Sequence, residues 1–223
     1  MKKLLFLMII LIGLPASAKT KIVVHKDISG YGEFNVKSCS IIKVLEFEDD
    51  VAESALKEIS KKDPTAYIDN TTFELSTCKY ADGKFLKIDK ASKLNTFGDK
   101  TVKVAIIDSG LTPTHKIFKG RKIIASDKID TVGHGTGVAS VIADCTPKNV
   151  ILMPIRAFNA GTPTTASDVI FAIDYAINHG ADVINISFGS SNRIEDMEII
   201  LKKAHDKGIL IFAASGNENG AIN

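Results

Sequence analysis

An apolar run that ends in an acid, followed by a histidine set among glycines, constrains this chain more than any other feature. The run is Val104–Asp108, and Ser109-Gly110 follows it. The second segment is Gly133-His-Gly-Thr-Gly-Val-Ala139, so Asp108 and His134 are 134 − 108 = 26 residues apart. A short apolar run bounded by turn residues is typical of a buried strand. Because a carboxylate can fix the tautomer of a histidine ring, the pair predicts two members of a nucleophilic catalytic triad.

Strand and helix patterns alternate from residue 102 onward. Apolar strands are predicted at Val102–Ile107, Val150–Ile155, Val183–Ser187 and Ile209–Ala213, and helices at Thr136–Ala143, Ala166–Gly180 and Arg193–Lys207. Near-continuous apolar strands separated by amphipathic helices are typical of a parallel sheet that is buried on both faces. The predicted fold class of residues 101–223 is therefore α/β, with a three-layer parallel sheet. Asp108 would lie at the carboxyl end of a strand, where catalytic groups collect.

The preceding part of the chain has a different pattern. Residues 19–80 lack the glycine-rich turns of the later half and predict a small α+β module, with a helix over Asp50–Lys62 that stops at Asp63-Pro64. Strands are predicted at Lys21–Lys26, Ser40–Phe47 and Ala66–Ile68. Residues 81–100 are polar and lysine-rich, which predicts a linker.

The N-terminus has the pattern of an export signal. Lys2 and Lys3 precede the apolar run Leu4–Leu14, and Pro15-Ala-Ser-Ala18 contains an A-x-A cleavage pattern. A membrane anchor is the alternative, but the run is shorter than the ~20 residues that span a bilayer. We therefore expect residues 1–18 to be removed, the rest to be secreted or periplasmic, and no stable membrane insertion.

The composition argues against nucleic-acid partners and does not determine how the cysteines pair. A formal net charge of +2 with 24% charged residues gives no indication of nucleic-acid binding. Export permits a disulfide, and Cys39–Cys78 is the natural candidate because both residues precede the region of Asp108. Cys145 would then be free, although other pairings of three cysteines remain open.

The glycine-flanked His134 has two alternative interpretations. A zinc site is disfavoured because the i+4 position is Val138 and no His or Glu lies at ligand spacing. A dinucleotide site is disfavoured because Gly133-x-Gly135-x-Gly137 is not G-x-G-x-x-G, and because the acid precedes the glycines. A nucleotide-dependent α/β enzyme therefore stays a weaker alternative.

Two further segments follow predicted strands. Asn217 lies in Ala214-Ser-Gly-Asn-Glu218, where its amide could donate a hydrogen bond to an oxyanion. The segment Asn185-Ile-Ser-Phe-Gly189 ends another strand. With the Asp108 and His134 segments, and in the same order, these segments resemble the subtilisin-like serine proteases. Many members of that family carry a second histidine where Gly137 stands, and they have a structural histidine like His115 after the aspartate.

The resemblance implies roles for these residues. His134 would act as general base and then as acid, Asp108 would orient it, and Asn217 would hold the oxyanion. Ser187, Phe188 and Gly189 would form an exposed strand edge that pairs with an extended polypeptide substrate. Calcium is common in the family, but no loop of this sequence predicts a calcium site, and no cofactor is expected.

The resemblance also sets expectations for the two ends of the chain. Residues 54–68 resemble the second half of the family's inhibitory propeptide, so residues 19–80 are expected to bind the catalytic part as its own propeptide; an accessory module is the alternative. The family's nucleophile lies in a Gly-Thr-Ser-x-x-Ala segment, which does not occur in the 223 residues.

We therefore expect the first portion of a serine endopeptidase, inactive alone, with the faces of Val183–Ile186 and Ile209–Phe212 only partly covered. A non-catalytic peptide-binding protein is the alternative.

Overall fold

The structure is a computed structural model that describes residues 19–28, 30–31, 34–75, 100–124, 129–190 and 192–216. The described residues fall into two compact units that divide between Ile68 and Asp69, except that Ser38–Ile42 belongs to the second unit. The predicted signal peptide, residues 81–99 of the predicted linker, Cys78 and Asn217 lie outside the described residues.

The first unit is a four-stranded sheet with one helix. The strands are β1 (Lys19–Val24), β2 (Asn35–Ser38), β3 (Lys43–Glu48) and β4 (Tyr67–Ile68), in the order β2-β3-β1-β4, and the helix is α1 (Asp49–Ile59). Strand β1 is antiparallel to both β3 and β4. The core consists of apolar side chains from the sheet and the helix: Ile22, Val24, Leu45, Phe47, Ala52 and Ile59. This is the α+β pattern that the sequence predicts, with β2 as an additional strand that was not predicted.

The second unit is built on a parallel sheet with the strand order β11-β9-β6-β7. These strands are β6 (Val102–Asp108), β7 (Val150–Arg156), β9 (Val183–Ile186) and β11 (Leu210–Ala213). The helices between them are α2 (His134–Cys145), α3 (Ala166–Asn178) and α4 (Glu195–Asp206). All four strands and all three helices lie where the apolar periodicity predicts them, with ends that differ by a few residues.

The alternation of side chains along β6 creates the layers. Val104 and Ile106 pack with Val138 and Ala139 of α2 in one core cluster. Their neighbours in the strand point to the opposite face, where α3 contacts β6 and β7. Helices therefore cover both faces of the sheet, which confirms the three-layer α/β prediction.

A small antiparallel sheet in the second unit was not predicted. It has the order β10-β5-β8, formed by β5 (Thr72–Leu75), β8 (Thr164–Thr165) and β10 (Phe188–Gly189). Strand β5 precedes the parallel sheet in the chain, yet it lies between two segments that follow strands of that sheet.

Glycines end the two later helices. Gly180 after α3 and Gly208 after α4 have φ of 70° and 78°, the left-handed conformation that terminates a helix. In the part of the chain that the structure describes, no helix has both the length and the apolar character needed to cross a membrane.

Candidate active site

The carboxylate of Asp108 is held at the carboxyl edge of the parallel sheet. Asp108 is the last residue of β6 and is fully buried. Its backbone oxygen accepts hydrogen bonds from Ala157 N at 2.8 Å and Phe158 N at 3.2 Å, which fix the strand end against the segment after β7. Its Oδ1 accepts from Ser109 N at 2.7 Å. Gly110 has φ of 105°, so the chain turns away from the sheet after the acid.

His134 is the first residue of α2, and its ring lies against the Asp108 carboxylate. Its Nδ1 is 2.8 Å from Asp108 Oδ1 and 3.0 Å from Oδ2. The His134 side chain is 9% exposed and that of Asp108 is fully buried. Because an ionised carboxylate only accepts hydrogen bonds, the neutral ring carries its proton on Nδ1 and its lone pair on Nε2. This tautomer can accept a proton at Nε2.

A glycine allows α2 to approach β6 closely enough for this contact. A Cβ atom on Gly135 would lie 2.4 Å from Gly110 O and 3.1 Å from Asp108 Cβ. Only glycine fits there without moving the helix. Close backbone approach beside the histidine therefore requires glycine at position 135, whereas a Cβ on Gly137 would meet nothing within 4 Å.

Of the predicted edge Ser187, Phe188 and Gly189, the last two residues pair with a strand of the chain itself. In the antiparallel register, Phe188 lies opposite Leu75, and Gly189 lies opposite Glu74. The other side of β5 pairs with β8, with Phe73 opposite Thr164. Asn185 Nδ2 donates to Ser187 Oγ at 2.9 Å just before this edge. Strand β5 is therefore an extended segment that lies between β8 and β10, which follow strands β7 and β9 of the parallel sheet.

Three aromatic rings anchor that middle strand. Phe73 is largely buried and meets Phe188 edge-on, with ring centroids 5.6 Å apart. Phe158 packs on the Phe188 ring at 4.8 Å. Aromatic pairs of this kind contribute about 0.5–1.5 kcal/mol beyond the area they bury. We call the space between β8 and β10, which β5 fills, the groove. It provides main-chain pairing and a pocket for the Phe73 side chain.

Of the remaining predicted residues, the structure describes His115, Cys39 and Cys145 but not Asn217. Asn217 lies outside the described residues, and the preceding Gly216 has a left-handed backbone with φ of 87°. His115 Nδ1 accepts from Ile117 N at 3.4 Å at the start of a short 3₁₀ helix, which is a structural contact. Cys39 and Cys145 are free thiols. Among residues 19–75 and 100–216 as far as they are described, no three His, Cys, Asp or Glu side chains form a group that could hold a metal ion.

Several residues around the site were not found by sequence reasoning. Phe158, Thr164 and the strand β5 join the site through tertiary pairing, for which the sequence carries no local signal. Asp130 carried only a general signal, because aspartate side chains in turns commonly accept a hydrogen bond from the backbone two residues on. Its carboxylate accepts from Val132 N and Gly133 N, immediately before His134.

Comparison with known sequences gives a consistent result. Residues 99–223 match the subtilase family, peptidase S8. Subtilisin DY of Bacillus licheniformis is 33% identical over 147 residues, covering 59% of this chain and 54% of its own length. The thermostable alkaline protease of Halalkalibacterium halodurans is 29% identical over 182 residues, covering 74% of this chain and 50% of its own length. The chain thus spans about half the length of these relatives.

Solved structures support the fold. The epidermin leader peptide processing serine protease of Staphylococcus aureus aligns with a TM-score of 0.64 at 20% identity, over 91% of this chain and 61% of that chain. Fervidolysin of Fervidobacterium pennivorans aligns with a TM-score of 0.64 at 18% identity, over 92% of this chain and 41% of that chain. These alignments extend over both units of the chain and show the predicted type of α/β fold.

Proposed function

The chain belongs to the subtilase family, and we propose that it carries the Asp and His of a serine endopeptidase that hydrolyses peptide bonds with an Asp/His/Ser triad. The observation that carries this proposal is the hydrogen bond of 2.8 Å between Asp108 Oδ1 and His134 Nδ1. It lies at the carboxyl edge of the parallel sheet, where the Asp108 backbone oxygen also accepts a hydrogen bond from the Phe158 N–H. The Phe158 ring in turn packs on Phe188. Because the family shown is a protease family, the nucleotide-dependent alternative has no further support.

In the proposed reaction, His134 moves the proton. The lone pair on Nε2 accepts the proton of a serine hydroxyl as the oxygen attacks the peptide carbonyl, and the ring later gives this proton to the leaving amine. Asp108 stabilises the imidazolium through Nδ1 and keeps the ring in the productive orientation. Burial of the pair strengthens this electrostatic interaction relative to water.

The other two catalytic parts rest on the resemblance to the family. Asn217 is proposed to donate its amide hydrogen to the developing oxyanion, and removal of such a donor costs about 10²–10³ in kcat. The serine itself is assigned to a Gly-Thr-Ser-x-x-Ala segment, which does not occur in the 223 residues. We therefore propose that these residues alone do not hydrolyse peptides at an enzymatic rate.

The proposed substrate is an extended polypeptide bound along Ser187–Gly189. Strand β5 supports this assignment because it already pairs there in the manner of such a substrate. Main-chain hydrogen bonds provide affinity with little sequence preference, and the pockets for alternate side chains provide selectivity. The packing of Phe73 against Phe188 indicates that an aromatic side chain is preferred at that position.

We further propose that residues 19–80 act as an inhibitory propeptide. Thr72–Leu75, near the end of this segment, fills the groove, so a substrate has to displace it. A separate chain of residues 19–90 should then inhibit a related active protease competitively. An absence of inhibition at high micromolar concentration would favour the accessory-module alternative.

Export is the remaining proposal about processing. The leader pattern of residues 1–18 predicts that the protein appears outside the cytoplasm with Lys19 as its first residue. The intact mass of the exported protein tests this directly. An exported form that retains residues 1–18 would contradict it.

A second candidate function is peptide binding without hydrolysis. The observation that favours it is the groove itself, which holds an extended strand without any contribution from a nucleophile. Under this function, the chain would bind aromatic-containing peptides after β5 is displaced. Under this function, no form of the protein would react with serine-directed reagents.

One experiment separates the two functions. A form of the protein that carries a Gly-Thr-Ser-x-x-Ala segment is treated with a serine-directed phosphonate that carries a fluorophore. Labelling is expected, His134→Ala should abolish it, and His115→Ala should retain it because His115 only begins a 3₁₀ helix. If no form that carries a Gly-Thr-Ser-x-x-Ala segment is labelled, the peptide-binding function replaces the proposed one.

A further inference from the structure

Asp130 accepts an unusually complete set of hydrogen bonds close to His134. The residue is 9% exposed and lies four positions before the histidine. Five hydrogen bonds of 2.6–3.0 Å reach its carboxylate, with Ser109 Oγ, Val132 N and Gly133 N on Oδ1 and with Thr136 N and Thr136 Oγ1 on Oδ2. Nothing in the proposed reaction uses this carboxylate.

Every partner of Asp130 is a donor. Ser109 Oγ accepts from Gly135 N at 2.9 Å, and Thr136 Oγ1 accepts from Thr112 N at 3.0 Å. Each hydroxyl has one hydrogen, which is therefore free to point at Asp130. Burial raises the pKa of Asp130, but the hydrogen bonds from Thr136, Gly133 and Val132 lower it by more, so this pKa lies below its ordinary value. The carboxylate is ionised at neutral pH.

The five bonds connect the two halves of the Asp108–His134 pair. Ser109 follows Asp108 directly at the end of β6, whereas Gly133 and Thr136 flank His134 at the start of α2. The Gly135 N–H and Thr136 N–H belong to the first turn of α2, where backbone donors have no partner within the helix. Ser109 and Asp130 satisfy these two donors, and the negative charge of Asp130 is favourable at this helix end.

We propose that Asp130 is a positioning residue for His134: its carboxylate ties the segment after Asp108 to the first turn of α2 and so sets the distance between Asp108 Oδ1 and His134 Nδ1. This inference rests on the proposed function, because it concerns the histidine that the function uses. The carboxylate acts through backbone groups on both sides of the ring and not by contact with the reacting atoms.

The proposal makes a sharp statement about substitution by asparagine. An amide has the shape of the carboxylate but presents an NH₂ group in place of one oxygen. Oδ1 faces three donors and Oδ2 faces two, so in either orientation of the amide at least two donors would face the NH₂ group. Asp130→Asn should therefore displace the first turn of α2, although the volume of the side chain is unchanged.

The test observes the His134 Nδ1 proton by ¹⁵N NMR in the 223-residue chain, so it needs no catalysis. The chain has five histidines, and His134→Gln assigns the signal. A far-downfield Nδ1–H resonance is expected in the wild-type chain and should disappear in Asp108→Asn. Asp130→Asn should lose the same resonance, whereas Thr136→Ser, which keeps the hydroxyl bonded to Asp130, should retain it.

Ser109→Ala keeps the inference testable if Asp130→Asn does not fold. It removes the bond from Ser109 to Asp130 and the acceptor of Gly135 N but leaves the other four bonds to Asp130. Loss of the Nδ1–H resonance in folded Ser109→Ala supports the inference. If the resonance persists unchanged in folded Asp130→Asn or in Ser109→Ala, Asp130 is only a helix cap and the inference is overturned. If the wild-type chain lacks an Asp108-dependent resonance, the proposed function itself fails.

Discussion

Gly135 on α2 lies so close to Gly110 that a Cβ on Gly135 would be 2.4 Å from the Gly110 carbonyl oxygen. This approach places the histidine at position 134 within 2.8 Å of the Asp108 carboxylate. A side chain at position 135 therefore pushes the first turn of α2 and the Gly110 segment apart.

Gly135→Ala should reduce activity far more than Gly137→Ala. In a form of the protein that carries the nucleophile, we expect kcat/KM to fall by about 10²-fold or more, because a displacement of 1 Å in a catalytic group costs roughly that much. Gly137→Ala is the matched control, since its Cβ would meet nothing within 4 Å and it lies in the same helix. Equal activity of the two variants would contradict the close-approach argument.

Asp108→Asn should leave the fold intact and remove most of the rate. The amide cannot hold the Nδ1–H tautomer of His134, and we expect kcat to fall by about 10⁴-fold with KM little changed. Peptide hydrolysis by the same complete form of the protein measures this. Asp144→Asn on the exposed surface of α2 is the control and should retain activity. A loss confined to KM would assign Asp108 to substrate binding instead.

The contrast between β6 and β5 shows what the sequence can predict. Val102–Ile107 is apolar at every position except Lys103, and its position, type and terminal acid were all predicted, because burial on both faces leaves a local signature. Thr72–Leu75 alternates polar and apolar residues, but four residues are too few for this alternation to identify a strand. It becomes a strand only because β8 and β10 pair with it, and such pairing is absent from any local window of sequence.

The residues of the candidate site likewise differ in whether a local sequence pattern predicts them. Asp108 and His134 were predicted because glycines and apolar residues surround them in a distinctive order. Ser109 and Asp130 were not, because hydroxyl and carboxylate groups in a turn look like ordinary solvated residues until both are found buried. The structure is needed to see that the turn faces inward and that the two side chains bond to each other at 2.9 Å.

The stabilising effect of Asp130 should depend on pH in a defined direction. Burial raises its pKa, but the hydrogen bonds from Thr136, Gly133 and Val132 outweigh this, so the folded pKa is below the unfolded value of about 3.9. A group with a depressed folded pKa stabilises the protein above its unfolded pKa, and this contribution is lost as the pH falls through the folded pKa. The difference in unfolding free energy between the wild type and Asp130→Asn should therefore be largest near neutral pH and should shrink below pH about 4.

Denaturant unfolding of the 223-residue chain across this pH range measures the difference. Asp144→Asn is measured alongside as the same substitution at an exposed position of α2. A difference for Asp130→Asn that grows as the pH falls would contradict the direction of the shift.

Phe73→Ala should open the groove to external peptides. The variant lacks the edge-on ring contact with Phe188, so β5 keeps its main-chain pairing but loses its aromatic anchor. We expect a fluorescent peptide with one aromatic residue to bind more tightly to this variant than to the wild type. Thr72→Ala is the matched control on the same strand, because Thr72 is exposed and lacks that anchor. Equal peptide affinity for the two variants would show that β5 does not occupy the peptide site.

Substitution of two phenylalanines in the second unit should change the unfolding free energy by very different amounts. Phe188 is 3% exposed, so Phe188→Ala should lower the unfolding free energy by about 3–5 kcal/mol. Phe212 on β11 is 60% exposed and borders a cavity of about 580 Å³ whose lining includes Val102, Val104 and Val183. Phe212→Ser should therefore change the unfolding free energy by less than about 0.5 kcal/mol.

Phe212 should instead affect association. Exposed apolar surface promotes association between molecules, so light scattering should show less self-association of Phe212→Ser than of the wild-type chain at the same concentration. Ile199→Ser on α4 is the control, because Ile199 is also exposed but lies away from the cavity lining. If Phe212→Ser destabilises the chain as strongly as Phe188→Ala, the outer face of β11 is covered in solution, and the partly uncovered sheet predicted for this chain would be wrong.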